Sequence, residues 1–413
     1  MKNFSFKTLA AVIIVLPVIF SACVKDTCKG FRTYTYYEPV YKTKDEVRAN
    51  IKSNGPRPIE NTGKLNILGD YIFLNEVDKG IHIINNSDPS NPKNFAFIDI
   101  PGNQDIAVKG NTLYADLYTD LVAIDISNPA NVKVTKIVES LFPNRYYGNS
   151  IAGSSNTVVI ADWIRKDTTV EQSCGDNGQN ILWSTGRFLS ASVSSGGSSS
   201  GSPIGIGGSM ARFTIINNRL YTLNNKDLDV LNITNATDPQ HSNRVNVGWN
   251  IETIYPFKNK LFIGSQNGMY IYSLLNPDAP SLAGQFAHVR SCDPVIADDQ
   301  YAYVTLRSGN ACLGFTNELD IIKLNDITNP SLAKVYQLKN PHGLSKDDDL
   351  LFICDGTDGV KVYNAANVMS LQQLKTIGSM DAYDVIAYNK KALVVAKKGC
   401  INMIILILPI SNC

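Results

Sequence analysis

Charge is scarce in this chain. Only 18% of its 413 residues are charged, and the formal net charge is +1. A nucleic-acid binder or a protein that coats an anionic surface concentrates positive charge, so no nucleic-acid partner is expected. Histidine is rarer still, at four residues, and the eight cysteines include no C-x-x-C pair. That spacing rules out the usual zinc sites, and no metal is expected. No P-loop, dinucleotide fingerprint, HExxH helix, EF-hand loop or nucleophile elbow between a strand and a helix is found, so no cofactor is expected. Near the start, the apolar run from Thr8 to Phe20 is too short to span a bilayer.

That run has another use. Lys2 and Lys7 precede it, and Phe20-Ser21-Ala22-Cys23 closes it, which is the layout of a signal peptide. The small residues before Cys23 resemble the lipobox of bacterial lipoproteins. The resemblance implies a signal peptide over residues 1–22, cleavage before Cys23 and acylation of that cysteine, hence a membrane partner through the lipid. Val24-Lys25-Asp26 resembles the surface-export signal of Bacteroidetes lipoproteins and implies an outer-membrane protein exposed at the cell surface. Residues 23–62 read as a tether in which Tyr34, Tyr36, Tyr37 and Tyr41 outline one alternating strand, broken by Pro56 and Pro58.

Beyond residue 62 the chain repeats itself. Gly80-Ile81-His82-Ile83-Ile84-Asn85, Leu121-Val122-Ala123-Ile124-Asp125, Leu228-Asp229-Val230-Leu231-Asn232, Met269-Tyr270-Ile271-Tyr272-Ser273, Leu319-Asp320-Ile321-Ile322-Lys323 and Val360-Lys361-Val362-Tyr363-Asn364 all alternate and run into polar turns. Alternation puts one side of each strand on a core, and Asn, Asp and Pro fix the turns. A second strand precedes each one (Thr112-Leu113-Tyr114-Ala115), with a shorter strand before that (Ile106-Ala107-Val108), and a fourth follows the turn (Lys133 to Val138). Four short antiparallel strands at a spacing of about 40 residues make a propeller blade. The expected fold is therefore an all-β propeller over residues 63–413, of eight four-stranded blades, or seven if the interrupted third unit is not a full blade.

Leu121-Val122-Ala123-Ile124-Asp125 and its turn resemble the LVIVD-repeat family of bacterial and archaeal surface proteins. The resemblance implies a propeller at the cell surface and leaves the chemistry open. The third unit departs from the pattern. An insertion at about residues 165–210 contains a Ser- and Gly-rich stretch from Ser190 to Gly208, which reads as a flexible surface loop.

The ending also departs. Cys400 to Cys413 has no blade pattern. Codons can be chosen for it such that one added base restores Tyr-Ser-Asp-Pro-Ala-Asn-Ile-Lys, close to Ile126-Ser127-Asn128-Pro129-Ala130-Asn131-Val132-Lys133. A one-base frameshift near Gly399 is the expectation from that match; the alternative is a natural hydrophobic terminal strand buried in a sheet.

Superposing the units on their second strands aligns Gly63, Gln104, Asn149, Ala211, Glu252, Asp293, His342 and Asp384 at the start of the innermost strands. Those strands surround the central channel, so Glu252, Asp293, His342 and Asp384, with Gln104, are expected at one rim. They could bind a cation, a basic group or a hydroxylated ligand, or simply be a solvated channel mouth. Trp163 and Trp183, with Tyr146 and Tyr147, form a competing aromatic site near the insertion. A disulfide between Cys292 and Cys312 is expected across one hairpin of an exported protein, while Cys354 lies inside a strand and reads as buried. Asp355-Gly356-Thr357-Asp358-Gly359 reads as a hairpin turn. These features point to a surface module that binds a protein or glycan. A hydrolase or lyase acting through the acidic rim and a purely structural envelope protein are the alternatives.

Overall fold

A computed structural model describes residues 29–143, 158–173, 202–288, 294–309, 314–388, 391–396 and 405–407. Residues 1–22, read above as a signal peptide, and Cys23, Cys292, Cys312, Asp293, Trp183, Tyr146 and Tyr147 lie outside the described residues, as do most of residues 400–413. Among the described residues, no helix is long and apolar enough to cross a membrane.

The chain is a β-propeller in which six sheets carry a four-stranded blade and a seventh has three described strands. The innermost strands, in order, are Thr62–Leu68, Ile106–Lys109, Phe213–Ile216, Ile251–Phe257, Val295–Ala297, Leu344–Asp347 and Ala382–Tyr388. Each packs beside the innermost strand of the next sheet, and the first sheet packs on the last. That closure is a layer of Leu65, Ile72, Leu74 and Ile84 against Ile386, Leu393 and Val395. Burial of each such side chain stabilises the fold by about 1.5–3 kcal/mol, so the alternating strands of the repeat supply the ring's cohesion. In the seventh sheet, Ile405–Ile407 pairs with Lys391–Ala396 as the third strand.

The units obey one local grammar. In the first four and the sixth, a side chain at the end of the third strand accepts the N–H two residues on: Asn85 from Ser87, Asp125 from Ser127, Asn232 from Thr234, Ser273 from Leu275 and Asn364 from Ala366. A second such turn follows in all six four-stranded blades, as where Asn128 accepts from Ala130 and Asp326 from Thr328. The fourth strand then pairs back through a one-residue bulge, as between Val134 and Lys136. A bulge increases local twist, which suits a blade. Asp355 closes a hairpin, as expected, and its buried carboxylate is held by Lys361 and the backbone N–H groups of Lys339 and Asn340. Cys354 beside it is buried and free.

Among the described residues, the eight expected blades are not formed. The third unit's strand, expected over Val158 to Ala161, continues as Val158–Ser173 and pairs with Lys29–Thr43 in a two-stranded sheet. The reason is visible after Asp162: Arg165, Lys166, Asp167, Thr168 and Thr169 are exposed and offer no apolar face to a blade. Residues 29–40 and 162–173 belong to a compact unit of their own. Thr33 and Thr169 share a hydrogen bond within it, Thr35 donates to Asp167, and Lys166 pairs with Glu38.

Part of the segment read as a tether is structured in the propeller unit. Helix α1, Lys44–Arg48, opens with a capping box between Thr43 and Glu46. It buries Val47, and Lys44 and Arg48 grip the buried Asp120 of the second sheet at 2.8 and 2.7 Å. Lys52–Asn54 then adds a strand outside the first blade.

Candidate functional site

The last part of the insertion does not run over the surface. Ile206–Gly207 pairs with Thr62–Leu68 on its inner side, and Ile204 bridges Lys109 in the second sheet. The Leu344 N–H donates to Ser209 Oγ at 2.7 Å in the sixth sheet, and Gly208 packs on Asp384 in the seventh. A segment that touches the inner strands of four sheets lies in the channel. Its glycines explain why: a side chain at Gly205 would strike Asn66, and one at Gly208 would strike Asp384. The composition that suggested flexibility is the one that lets a backbone pass through a narrow bore.

This segment touches the rim expected from the repeats, through Ser209 near Asp384 and the Met210 carbonyl on Lys64, and that rim is buried. Glu252, His342 and Asp384 are 5%, 8% and 1% exposed. They are therefore not a solvated mouth. Gln104 is half-buried and donates to Asp78, while Ala211 is buried and Gly63 packs on Asn75. Trp163 sits on the separate two-stranded sheet, half-buried.

The superposition missed half of the site by one residue. Lys64, Asp105 and Arg212 follow Gly63, Gln104 and Ala211, and they supply the charges of the first three sheets. Lys64 Nζ donates to the Met210 carbonyl at 3.0 Å and lies 3.9 Å from Asp105 Oδ2. The Arg212 N–H donates to the same oxygen at 2.7 Å. The missed signal was a single position of alternation, which decides whether a side chain faces the channel or the blade.

Burial pushes the Asp105 carboxyl up, and Lys64 pulls it partly back. Burial likewise raises Glu252, which accepts from Gln266 Nε2 at 2.8 Å and is held down by Arg212, Arg307 and Lys64. Asp384 is pushed up to about 7 by burial, against hydrogen bonds from Val385 and Ser209. Its carboxylate is clamped between Gly208 and Gly343, and Oδ2 has no hydrogen-bond partner among the described residues. Arg307 Nη1 lies 2.9 Å from His342 Nδ1 and 3.1 Å from Nε2. A guanidinium only donates, so a hydrogen bond from it to either ring nitrogen needs a lone pair on that nitrogen. Tyr383 lies against that ring, with centroids 5.2 Å apart. The rim thus offers acceptors and donors side by side, in a setting where water screens them weakly.

Among the described residues, no group of three His, Cys, Asp or Glu side chains could hold a metal ion.

Several solved structures are similar in fold. BamB from Moraxella catarrhalis is 7% identical, with a TM-score of 0.47 over 79% of this chain and 79% of that one. Sqt1 from Saccharomyces cerevisiae is 10% identical, with a TM-score of 0.47 over 88% and 96% of the two chains. A functionally unknown protein from Desulfotomaculum acetoxidans is 12% identical, with a TM-score of 0.43 over 82% and 93%. No curated protein matches the chain. Residues 61–97 and 102–139 match the model of the LVIVD repeat, and they form the first two blades, so this propeller is built at its start from LVIVD repeats.

Proposed function

We propose that the protein is a propeller of the cell envelope, anchored to the outer membrane through a lipidated Cys23 and displayed at the surface, and that it binds a protein or glycan partner at its channel rim. The convergence of charged and polar side chains from six sheets on one end of the channel supports this reading most. Lys64, Asp105, Glu252, His342 and Asp384 come from five different sheets and are nearly inaccessible, with Arg212 of a sixth half-buried beside them. The fold alone has no need of such a set, because well-packed apolar side chains stabilise a channel as well or better. A recognition site does need it, since a few convergent polar groups fix a ligand's orientation.

Full-length protein in detergent, applied to arrays of envelope glycans and surface proteins, tests the reading. We expect retention of one class of partner, weakened by about tenfold or more in both Glu252→Gln and His342→Gln, as loss of a buried polar contact implies. Equal retention by both variants, with melting unchanged, rejects the rim as the site.

Asp384 favours the second reading, a hydrolase or lyase, because a carboxyl raised to about 7 can exchange a proton near neutrality. Here Asp384→Asn abolishes the release of new reducing ends or fragments from the same arrays, while the binding reading predicts that no such release occurs in the parent protein.

A further inference from the structure

We propose a second binding site, away from the rim, in the groove between the first two blades, and we infer that it takes a small organic cation: an apolar body carrying a protonated amine. The groove has a volume of about 740 Å³. Sites for small molecules fall at about 300–1,000 Å³ and combine an apolar floor with few polar groups. Leu68, Phe73, Ile83 and Ile126 make the floor, and Asp70 is the only charged side chain among the described residues that line it.

The repeat explains why this seat is open. Between the third and fourth blades the equivalent seat is lined by Ile216, Tyr221, Asn259, Leu274 and Pro277, and it holds only about 150 Å³. There Tyr221 reaches across and donates its hydroxyl to the Pro277 carbonyl at 2.9 Å. Tyr114 does the same between the second and third blades, to the Ala236 carbonyl at 2.7 Å. The matching residue of the first blade is Phe73, opposite Asn66 as Tyr221 is opposite Thr214. It has no hydroxyl to send across.

The turn carbonyl that such a tyrosine would reach is Pro129 O. Here it accepts instead from Ser53 Oγ at 2.8 Å, and that hydroxyl in turn accepts from the Val132 N–H at 3.0 Å. Ser53 belongs to the extra strand outside the first blade. The turn is therefore secured from outside, and no described side chain needs to cross the groove to satisfy its carbonyl. Pro203, fixed where its carbonyl accepts the Gly110 N–H at 2.7 Å, walls the groove toward the channel.

Charge selects the occupant. Asp70 is exposed at the mouth, and among the described residues its carboxylate makes no ion pair and no cation lines the groove to oppose it. An apolar ligand with an ammonium group satisfies both floor and mouth. A carboxylate-bearing ligand of the same size meets a like charge.

Dansylcadaverine, a planar apolar ring system with a primary amine, is a suitable probe, with dansylglycine as the anionic control. Titration of the full-length protein should give saturable, blue-shifted fluorescence, tighter for the amine by about fivefold, as one exposed charge pair allows. Asp70→Asn should remove that preference. Phe73→Tyr should close the groove as Tyr221 closes its own, weakening the amine by about tenfold or more. If Phe73→Tyr melts early, Ser127→Trp decides the matter, since Ser127 is exposed at the groove edge and outside the core. Absence of saturation in the parent protein, equal binding of amine and acid, or full binding by Ser127→Trp overturns the proposal. Glu252→Gln leaves probe binding unchanged, which separates this site from the rim.

Discussion

Asn128, Asn235 and Asn276 in the outer turns and Asp105, Glu252 and Asp384 in the channel are short polar side chains in opposite settings. Each turn residue is exposed and accepts the N–H two positions along its own chain. Each channel residue is buried, and part of what holds it comes from outside its own blade: the Arg212 N–H on Asp105, the Ser209 hydroxyl near Asp384, and the field of Arg212, Arg307 and Lys64 on Glu252 beside the Gln266 amide of its own blade. In the turns, a polar group shapes the backbone locally and water covers any shortfall. In the channel, the ring must supply each partner, and a missing one leaves a buried charge unbalanced.

The comparison can be broken most forcefully at Lys64. Lys64→Met removes the cation nearest the buried Asp105 and the donor to the Met210 carbonyl. Stability should fall by about 3–5 kcal/mol, seen as a lower urea midpoint at an unchanged slope. A loss no larger than that of a turn variant would mean that the channel charges are as weakly coupled as surface ones.

Asp384 sharpens the comparison through pH. Its folded-state value, about 7, stands above the ordinary carboxylate value of 3.8. The folded chain therefore keeps a proton that the unfolded chain gives up. Stability falls as pH rises between those two values and levels off above the upper one, at no more than about 1.4 kcal/mol per pH unit from this group. Asp384→Asn should flatten that decline in urea midpoints measured across the window. Asp105, raised for the same reason, leaves a residual slope. An unchanged slope would assign the titration elsewhere.

The smallest effect belongs to the turns. Asn128→Ala deletes one exposed local hydrogen bond at 3.1 Å and should lower stability by only about 0.5–1 kcal/mol in the same urea assay.

Much of the fold was legible because its determinants are local. Alternation located Thr112–Leu117 and Asp120–Asp125, and the Asn-Pro turn after them placed Lys133–Val138. Counting from the second strands also brought Glu252, His342 and Asp384 to one rim, because equal blades put equal positions at equal places. Lys64, Asp105 and Arg212 escaped, since the count says nothing about which of two adjacent residues turns inward. Phe73 escaped as well: it differs from Tyr114 and Tyr221 by one hydroxyl, whose importance appears only when the neighbouring turn is in view.

The sequence by itself determined that the chain is a β-propeller of repeated four-stranded units, because side-chain alternation and turn chemistry act over a few residues. Only the tertiary structure decided the number of sheets, the place of residues 202–210 and the burial of the rim. Those depend on which surfaces meet when the ring closes. Beyond Asp162 the Val158–Ser173 strand is exposed and largely polar, with no buried apolar face for a blade, whereas the Gly-rich segment was slender enough to enter the channel and cover Asp384.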